Sequence, residues 1–346
     1  MTLKSLYNSC GREYLTAKMF FRLVKPQLYG KVIANALLRK INIDQPSSAI
    51  LGLTYSCQCR CVHCSAGLYK NEVIQELSTQ EWRGILDATH RLGVPRINLT
   101  GGEALLRKDI FDIIDYASKS FVVILESNGL LISREVAGLL KKAKVSCVAI
   151  SIDSVKGPEH DLLRKANGCF DQALEGIHNL KAASVPCIMS TYIPAERANI
   201  QYIEDLMSLV RKMGVMALRI LPPRPVGSFS CNVSSLLGKK DEELIRRYSD
   251  SFISYFNGMP APKICGIFSK ATFYISPYGD IQPCPFMPIS FGNVKDGHIG
   301  ALLTKMWCHR IFRHEGQSCL VLNAHFRDKY LNGHNSFPWD ADTATN

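Results

Sequence analysis

Four cysteines crowd one short stretch, Cys57, Cys59, Cys61 and Cys64. Thiolates are the usual protein ligands of iron–sulfur clusters. Taking Cys57, Cys61 and Cys64 gives the spacing C-x3-C-x2-C. Three thiolates on a four-iron cluster leave one iron without a protein ligand, and an open position marks a catalytic metal site where a closed shell marks a structural one. Cys59 keeps two further readings open: a four-thiol zinc site, and a set of redox thiols. Cys57, Cys59 and Cys61 alternate along one short stretch, so neighbouring residues would chelate awkwardly.

A second group, Cys265, Cys284, Cys308 and Cys319, is spread over the C-terminal part, with structural zinc as the plain alternative. Cys10, Cys147, Cys169, Cys187 and Cys231 stand alone and read as small buried hydrophobes. Thirteen cysteines in 346 residues, without the apolar core and cleavage site of a secretory signal, argue for free thiols in a reducing cytoplasm and not for a disulfide scaffold. No stretch reaches the roughly 18 apolar residues that suggest a membrane-spanning helix.

The elements that position these residues follow from periodicity. Residues 49–55 read as a buried strand leading straight into the first cysteine loop. Ser78-Thr79-Gln80-Glu81 is a capping box before a helix over 82–92. Strands at 96–99, 121–126, 146–152, 187–193 and 217–221 alternate with helices at 109–118, 133–142, 170–183 and 200–213. Alternation of this kind implies βαβ units and a parallel sheet. Six strands are too few for a closed eight-stranded barrel, which predicts a partial (β/α)6 TIM-like barrel, with a doubly wound sheet as the other choice. Loops at the strands' C-terminal ends should then carry the chemistry.

The chain divides into a basic segment over 1–47, the barrel over 48–227, a C-terminal domain over 228–331 and a polar tail over 332–346. The C-terminal domain holds a helical stretch near 241–256 and a hairpin whose turn is Ser276-Pro277-Tyr278-Gly279. Of the net charge of +11, residues 1–47 supply a surplus of six, on one or two amphipathic helices. That segment suits a helical collar under the barrel, or contact with an anionic membrane or an acidic partner. Positive charge alone gives only non-specific attraction, so no specific nucleic acid is expected.

With these motifs in order, residues 48–225 resemble the radical SAM superfamily. Cys57, Cys61 and Cys64 match its cluster motif, and His63 holds the usually aromatic position near the adenine. Gly101-Gly102-Glu103 looks like the family's GGE motif, with glycines allowing close backbone approach to a ligand and Glu103 accepting from the methionine ammonium. Ser127-Asn128-Gly129 is similar to its turn near SAM, Ser151 and Asp153 to its Ser-x-Asp, and Arg164 to its carboxylate-binding arginine.

Cys265-x13-Gly279-x4-Cys284 resembles the auxiliary-cluster segment of SPASM and twitch members, as do Phe291-Gly292-Asn293-Val294 and Met306-Trp307. The run of four cysteines that would complete a SPASM domain is lacking, which favours one auxiliary cluster on Cys265, Cys284 and Cys319, with the fourth ligand unassigned. Leu322, Asp328 and Asn332 fall where partners of Cys319 would stand, and Cys308 reads as mid-helix packing beside Trp307.

The resemblance implies two 4Fe–4S clusters and S-adenosyl-L-methionine (SAM), a donor such as flavodoxin or ferredoxin, and a 5′-deoxyadenosyl radical that abstracts hydrogen. The substrate is expected to be a ribosomally made peptide or, as for twitch-type dehydrogenases and epimerases, a small molecule. The alternative of another class is a non-catalytic zinc or iron–sulfur protein.

Overall fold

The computed structural model describes residues 15–41, 45–249, 254–256, 265–312, 319–331 and 338–341. A helix over residues 15–23 (α1) and α2 (Tyr29–Lys40) precede the barrel. Its units run β1 (Ser48–Gly52), α3 (Thr79–Arg91), β2 (Arg96–Thr100), α4 (Ile110–Ser118), β3 (Val122–Ser127), α5 (Arg134–Lys142) and β4 (Cys147–Ser151). They continue through α6 (Gly157–Arg164), α7 (Cys169–Ala182), β5 (Cys187–Tyr192), α8 (Ile200–Met213) and β6 (Leu218–Leu221). Then follow α9 (Lys239–Ser249), β7 (Ser254–Phe256), β8 (Thr272–Ile275), β9 (Ile281–Gln282), β10 (Ile289–Ser290), α10 (Ile299–Cys308), α11 (Ala324–Tyr330) and β11 (Trp339–Asp340).

The expected six strands pair in parallel in chain order, and the sheet extends past them at both edges: β7-β6-β5-β4-β3-β2-β1-β8-β9. Two differences from the sequence reading account for this. The helix expected over 241–256 is described over Lys239–Ser249, and Ser254–Phe256 instead pairs in parallel with β6. The predicted hairpin forms as β8 and β9, but β8 also lies parallel to β1, from Ser48 opposite Thr272 to Leu51 opposite Ile275. The β-branched and aromatic side chains of Thr272-Phe273-Tyr274-Ile275 suit a strand buried on both faces. The result is a partial barrel of eight parallel strands with an antiparallel ninth; β7 and β9 are its edges.

Local signals explain the elements. Ser78 caps α3 through the complete capping box, and Ser133 and Asn199 cap α5 and α8. Side-chain alternation then splits each strand between two layers. Val123, Leu125, Val148, Ile150 and Met189 join the main core under the helices, and Phe273, Ile275, Ile281 and Phe291 of the C-terminal part belong to that same core. Val122, Ile124, Cys147, Ala149 and Ile188 point the other way and pack against Leu15, Leu23 and Leu28 of the N-terminal helices.

The N-terminal helices therefore form the collar. Their basic side chains are largely turned inward onto barrel carbonyls: Lys18 to Met216, Lys25 to Ser118, Lys31 to Ser120 and Arg39 to Gln45 and Ser269. Lys25 and Lys31 thereby neutralise backbone carbonyls at the end of α4, where the helix dipole favours a cation. Phe21, Ile33, Leu37 and Ile41 remain exposed on these helices. No described helix is long and apolar enough to cross a membrane. Cys10 lies outside the described residues, as does most of the expected polar tail; within it Trp339–Asp340 pairs with Ile289–Ser290.

Candidate active site

The first cysteine loop leaves the C-terminal end of β1, and three backbone clamps hold it. Gly102 and Glu103 donate their N–H groups to the carbonyls of Thr54 (2.6 Å) and Ser56 (2.8 Å). Arg60 and Val62 donate to the carbonyls of Arg164 (3.1 Å) and Leu163 (2.9 Å), the free C-terminal end of α6. Ser228, just past the Pro-rich segment, donates to the carbonyl of Cys64 (2.9 Å).

The first clamp depends on the two glycines. A Cβ on Gly101 would stand 2.3 Å from the Thr54 carbonyl oxygen, and one on Gly102 would stand 2.3 Å from that of Ser56. The backbone leading into the cysteine loop therefore packs directly against both glycines.

Within the loop the thiol of Cys59 lies between those of Cys57 and Cys61 and hydrogen-bonds both. The proton stays on Cys59, and the bond it gives favours thiolate on Cys61, whose pKa falls to about 7 with added help from Arg164. Arg164 Nη1 lies 3.7 Å from Cys61 Sγ. Asn128 Nδ2 reaches the same thiols, 3.6 Å from Cys59 Sγ and 3.9 Å from Cys57 Sγ.

Behind the loop sits a buried charge cluster. Arg164 Nη2 is 2.6 Å from Asp153 Oδ2, a contact of charge more than an aligned hydrogen bond. Burial alone would raise the Asp153 carboxyl, but Arg164 outweighs it and holds the group below the usual range. His63 Nε2 is 3.5 Å from the same oxygen, yet burial pushes its pKa down to about 4 and keeps the ring neutral. The His63 ring stacks on Tyr192, with centroids 4.4 Å apart and planes 8° from parallel, so one face of the expected adenine neighbour is already covered.

Glu103 is fully buried and accepts from Ser127 Oγ (3.0 Å), Asn128 N (2.8 Å) and Leu105 N (3.2 Å). It fastens the Ser127–Gly129 turn to the glycine clamp. Ser151 ends β4 on the same side, half-buried. The structure thus gathers Cys57, Cys61, Cys64, His63, Gly101, Gly102, Glu103, Ser127, Asn128, Asp153 and Arg164 around one loop. Sequence reasoning places no helix between β4 and residue 170, whereas Arg164 ends α6, whose carbonyls grip the loop; Pro158 in its first turn was the available signal. Tyr192 gave no such signal.

The second set also converges. The thiols of Cys265 and Cys319 hydrogen-bond each other, and Cys284 is close enough for its charge to act on Cys265 and for that of Cys319 to act on it. Burial pushes Cys284 up to about 12, while the bond from Cys265 pulls Cys319 down to about 6. The positive charge of Arg224 acts on both Cys284 and Cys319 and favours their thiolates, a neighbour that sequence reasoning did not identify. Cys308 is not part of this group: it is exposed at the last position of α10, not packed in mid-helix. Cys231 is likewise exposed, whereas Cys147, Cys169 and Cys187 are buried as expected. Asp328 is exposed on α11, and Asn332 lies outside the described residues.

Between the two thiol sets stands a group of buried tyrosines. Tyr55 and Tyr69 flank the first loop; Tyr278 tips the hairpin and packs on Tyr55 at 5.2 Å between ring centroids. Tyr69 feels the charge of both Cys64 and Cys284.

Among the described residues no three His, Cys, Asp or Glu side chains converge as a single metal ion would require. A four-iron cluster meets its thiolates at separate corners and does not need that convergence. His63 Nδ1, Arg164 Nε and the Tyr192 hydroxyl are buried beside the loop without hydrogen-bond partners. Each such group costs about 1–3 kcal/mol when left unpaired, so a polar ligand belongs there. Donor set and surroundings both fit a 4Fe–4S cluster with SAM.

Comparison with known proteins points the same way. The mycofactocin maturase MftC of Mycolicibacterium smegmatis is 30% identical over 263 residues, covering 70% of this chain and 65% of the maturase. The AdoMet-dependent heme synthase of Oleidesulfovibrio alaskensis is 27% identical over 293 residues, 75% of each protein. The fold matches that of Streptococcus suis SuiB bound to its precursor peptide SuiA, with a TM-score of 0.64 at 16% identity, over 89% of this chain and 78% of SuiB. The family model of the radical SAM superfamily matches residues 51–210, and the chain is a radical SAM superfamily enzyme, with the SAM and 4Fe–4S cluster that the family implies.

Proposed function

We propose that this enzyme cleaves SAM reductively and modifies a peptide. The observation that carries the reading is the cysteine loop, clamped on three sides, with Asn128 against Cys57 and Arg164 against Cys61. The cluster would supply the electron that splits SAM into methionine and a 5′-deoxyadenosyl radical, the species that takes hydrogen from the substrate. The chain's own groups do the rest. Cys57, Cys61 and Cys64 hold the cluster. Glu103 and Arg164 offer opposite charges to the ammonium and carboxylate of methionine, and Asp153 orients the guanidinium. Ser127, Asn128 and Ser151 line the approach, and His63 with Tyr192 forms a flat surface for the adenine. Neutral His63 and the buried tyrosines exclude water from a reactive radical.

Cys265, Cys284 and Cys319 are proposed to hold an auxiliary cluster, with Arg224 as counter-charge. A small electron carrier such as flavodoxin or ferredoxin is the proposed reductant. The peptide assignment draws support from a fold neighbour solved with a precursor peptide and from relatives named as maturases. The heme synthase, similar over more of the chain, supports a second reading in which the substrate is a small molecule. The exposed apolar residues of the collar remain proposed as a contact for a membrane surface or acidic partner.

The test is anaerobic reconstitution followed by assay of 5′-deoxyadenosine with SAM and dithionite. Nucleoside formation that Cys61→Ala abolishes is the expected result. No iron uptake and no nucleoside, where a control enzyme works, would sink the proposal.

A further inference from the structure

Cys59 is left without a task once Cys57, Cys61 and Cys64 are assigned. Its surroundings are unlike those of the other spare cysteines. Cys147 and Cys187 are packed in the apolar core on strands β4 and β5. Cys59 is only 7% exposed, yet it sits on a loop and its neighbours are the thiols of Cys57 and Cys61 and the amide of Asn128. It is more buried than Cys57, which is exposed. Cys57, Cys59 and Cys64 all line one cavity of about 650 Å³ that opens beside the loop. A thiol kept only for its volume has no reason to face that cavity.

We propose that Cys59 is a fourth, exchangeable thiolate of the loop cluster, which closes the iron left open by the other three cysteines and yields that iron to SAM. The proposal rests on the cluster reading above. Sequence geometry explains why the bond would be exchangeable: Cys57, Cys59 and Cys61 are alternate residues, and all three can meet one cluster only under strain. Asn128 belongs to the turn that closes on Glu103, so SAM arriving there approaches the side from which Asn128 touches Cys59. The exchange is redox-neutral. Binding of Cys59 to iron releases the thiol proton to solvent. When the amino and carboxylate groups of SAM take the iron, the iron–sulfur bond breaks and the thiolate recovers a proton from solvent. No electron moves in either direction.

The iron without a protein thiolate is the one that a four-iron cluster sheds on oxidation, leaving a three-iron cluster with its own paramagnetic signal. Reconstituted full-length wild type, Cys59→Ala, Cys59→Ser and Cys61→Ala are treated with ferricyanide with and without SAM. Only the part of the signal that SAM changes is counted, which sets the second thiol group aside. Wild type should show severalfold less three-iron signal than Cys59→Ala in the absence of SAM, and SAM should bring the variant down to wild type. Because wild type must first release Cys59, the variant should also bind SAM severalfold more tightly in equilibrium dialysis. Equal signals and equal affinities would overturn the proposal. So would failure of both Cys59→Ala and Cys59→Ser to take up iron at this loop, which would make Cys59 a permanent ligand. Wild type that takes up no iron, or Cys61→Ala that takes up as much as wild type, would instead refute the underlying cluster reading.

Discussion

The two thiol sets are built by opposite means. The first comes from one loop of neighbouring residues, and the fold's work there is to keep that loop still: backbone clamps from the β2 end, the α6 end and Ser228 fix it. The second draws Cys265, Cys284 and Cys319 from three separate segments, and packing of the C-terminal part into the barrel's core brings them together. Chain connectivity therefore holds the first site, while tertiary packing holds the second. The first should depend on local backbone geometry, and the second should respond to anything that loosens the attachment of β8 and β9 to β1.

The largest expected contrast is chemical. Cys61→Ala should abolish 5′-deoxyadenosine formation, whereas Cys284→Ala should leave nucleoside formation in place and lower product yield on the natural substrate. Unchanged product yield in Cys284→Ala would remove the auxiliary cluster from the mechanism. Next comes the buried charge pair. Asp153→Ala leaves the Arg164 guanidinium buried without its counter-ion, and breaking a buried pair from one side costs about 3–5 kcal/mol. Denaturant unfolding should show that loss. Arg224→Ala near the second set removes a guanidinium with no carboxylate assigned to it and should destabilise the protein less.

The difference in construction also decides what could be read from the sequence. The Cys57–Cys64 loop, the GGE segment and the strand–helix alternation are local patterns, and each stands where periodicity and spacing put it. The capping box at Ser78–Glu81 forms as its sequence suggests, but α3 begins at Thr79, three residues before the helix expected from residue 82. Contacts between distant segments were not legible. Nothing in Ser254-Tyr255-Phe256 marks it as a parallel partner of β6, and the polar helical pattern before it invited a longer helix. Nothing in the hairpin sequence says that β8 also pairs with β1. The glycines stand at points of close approach as their spacing suggests, and the loop backbone that meets them there is a contact between distant residues that the sequence does not display. Cys308 was misjudged because Trp307 beside it suggested burial, while α10 ends at that residue and turns the thiol outward.

A pair of alanine substitutions sharpens the contrast at intermediate cost. Gly102→Ala forces a Cβ to 2.3 Å from the Ser56 carbonyl oxygen, an overpacking that typically costs about 1–3 kcal/mol. It should lower iron bound at the first loop. Gly279→Ala, in the hairpin, places a side chain at φ +98°, where an L-residue is strained by roughly 1–2 kcal/mol. It should spare iron at the first loop and lower it at the second. Equal effects of both variants on both sites would mean that the two are one cooperative unit.

The smallest effect concerns the joint between the sites. The Tyr278 hydroxyl accepts from Asn71 N (2.7 Å) and donates to Asn71 O (3.0 Å), tying the hairpin tip to the segment that follows the first loop. Tyr278→Phe removes both bonds but keeps the ring against Tyr55. Asn71 is exposed, so water can satisfy its backbone, and the loss should be about 0.5–1.5 kcal/mol. If the hydroxyl only adds stability, unfolding shifts by that amount and iron content at both sites stays at wild-type level. If it also holds the tyrosine group in register between Cys64 and Cys284, the midpoint potentials of the two clusters in a reductive titration should move together. Movement of neither potential would show that the two sites share a core without influencing each other.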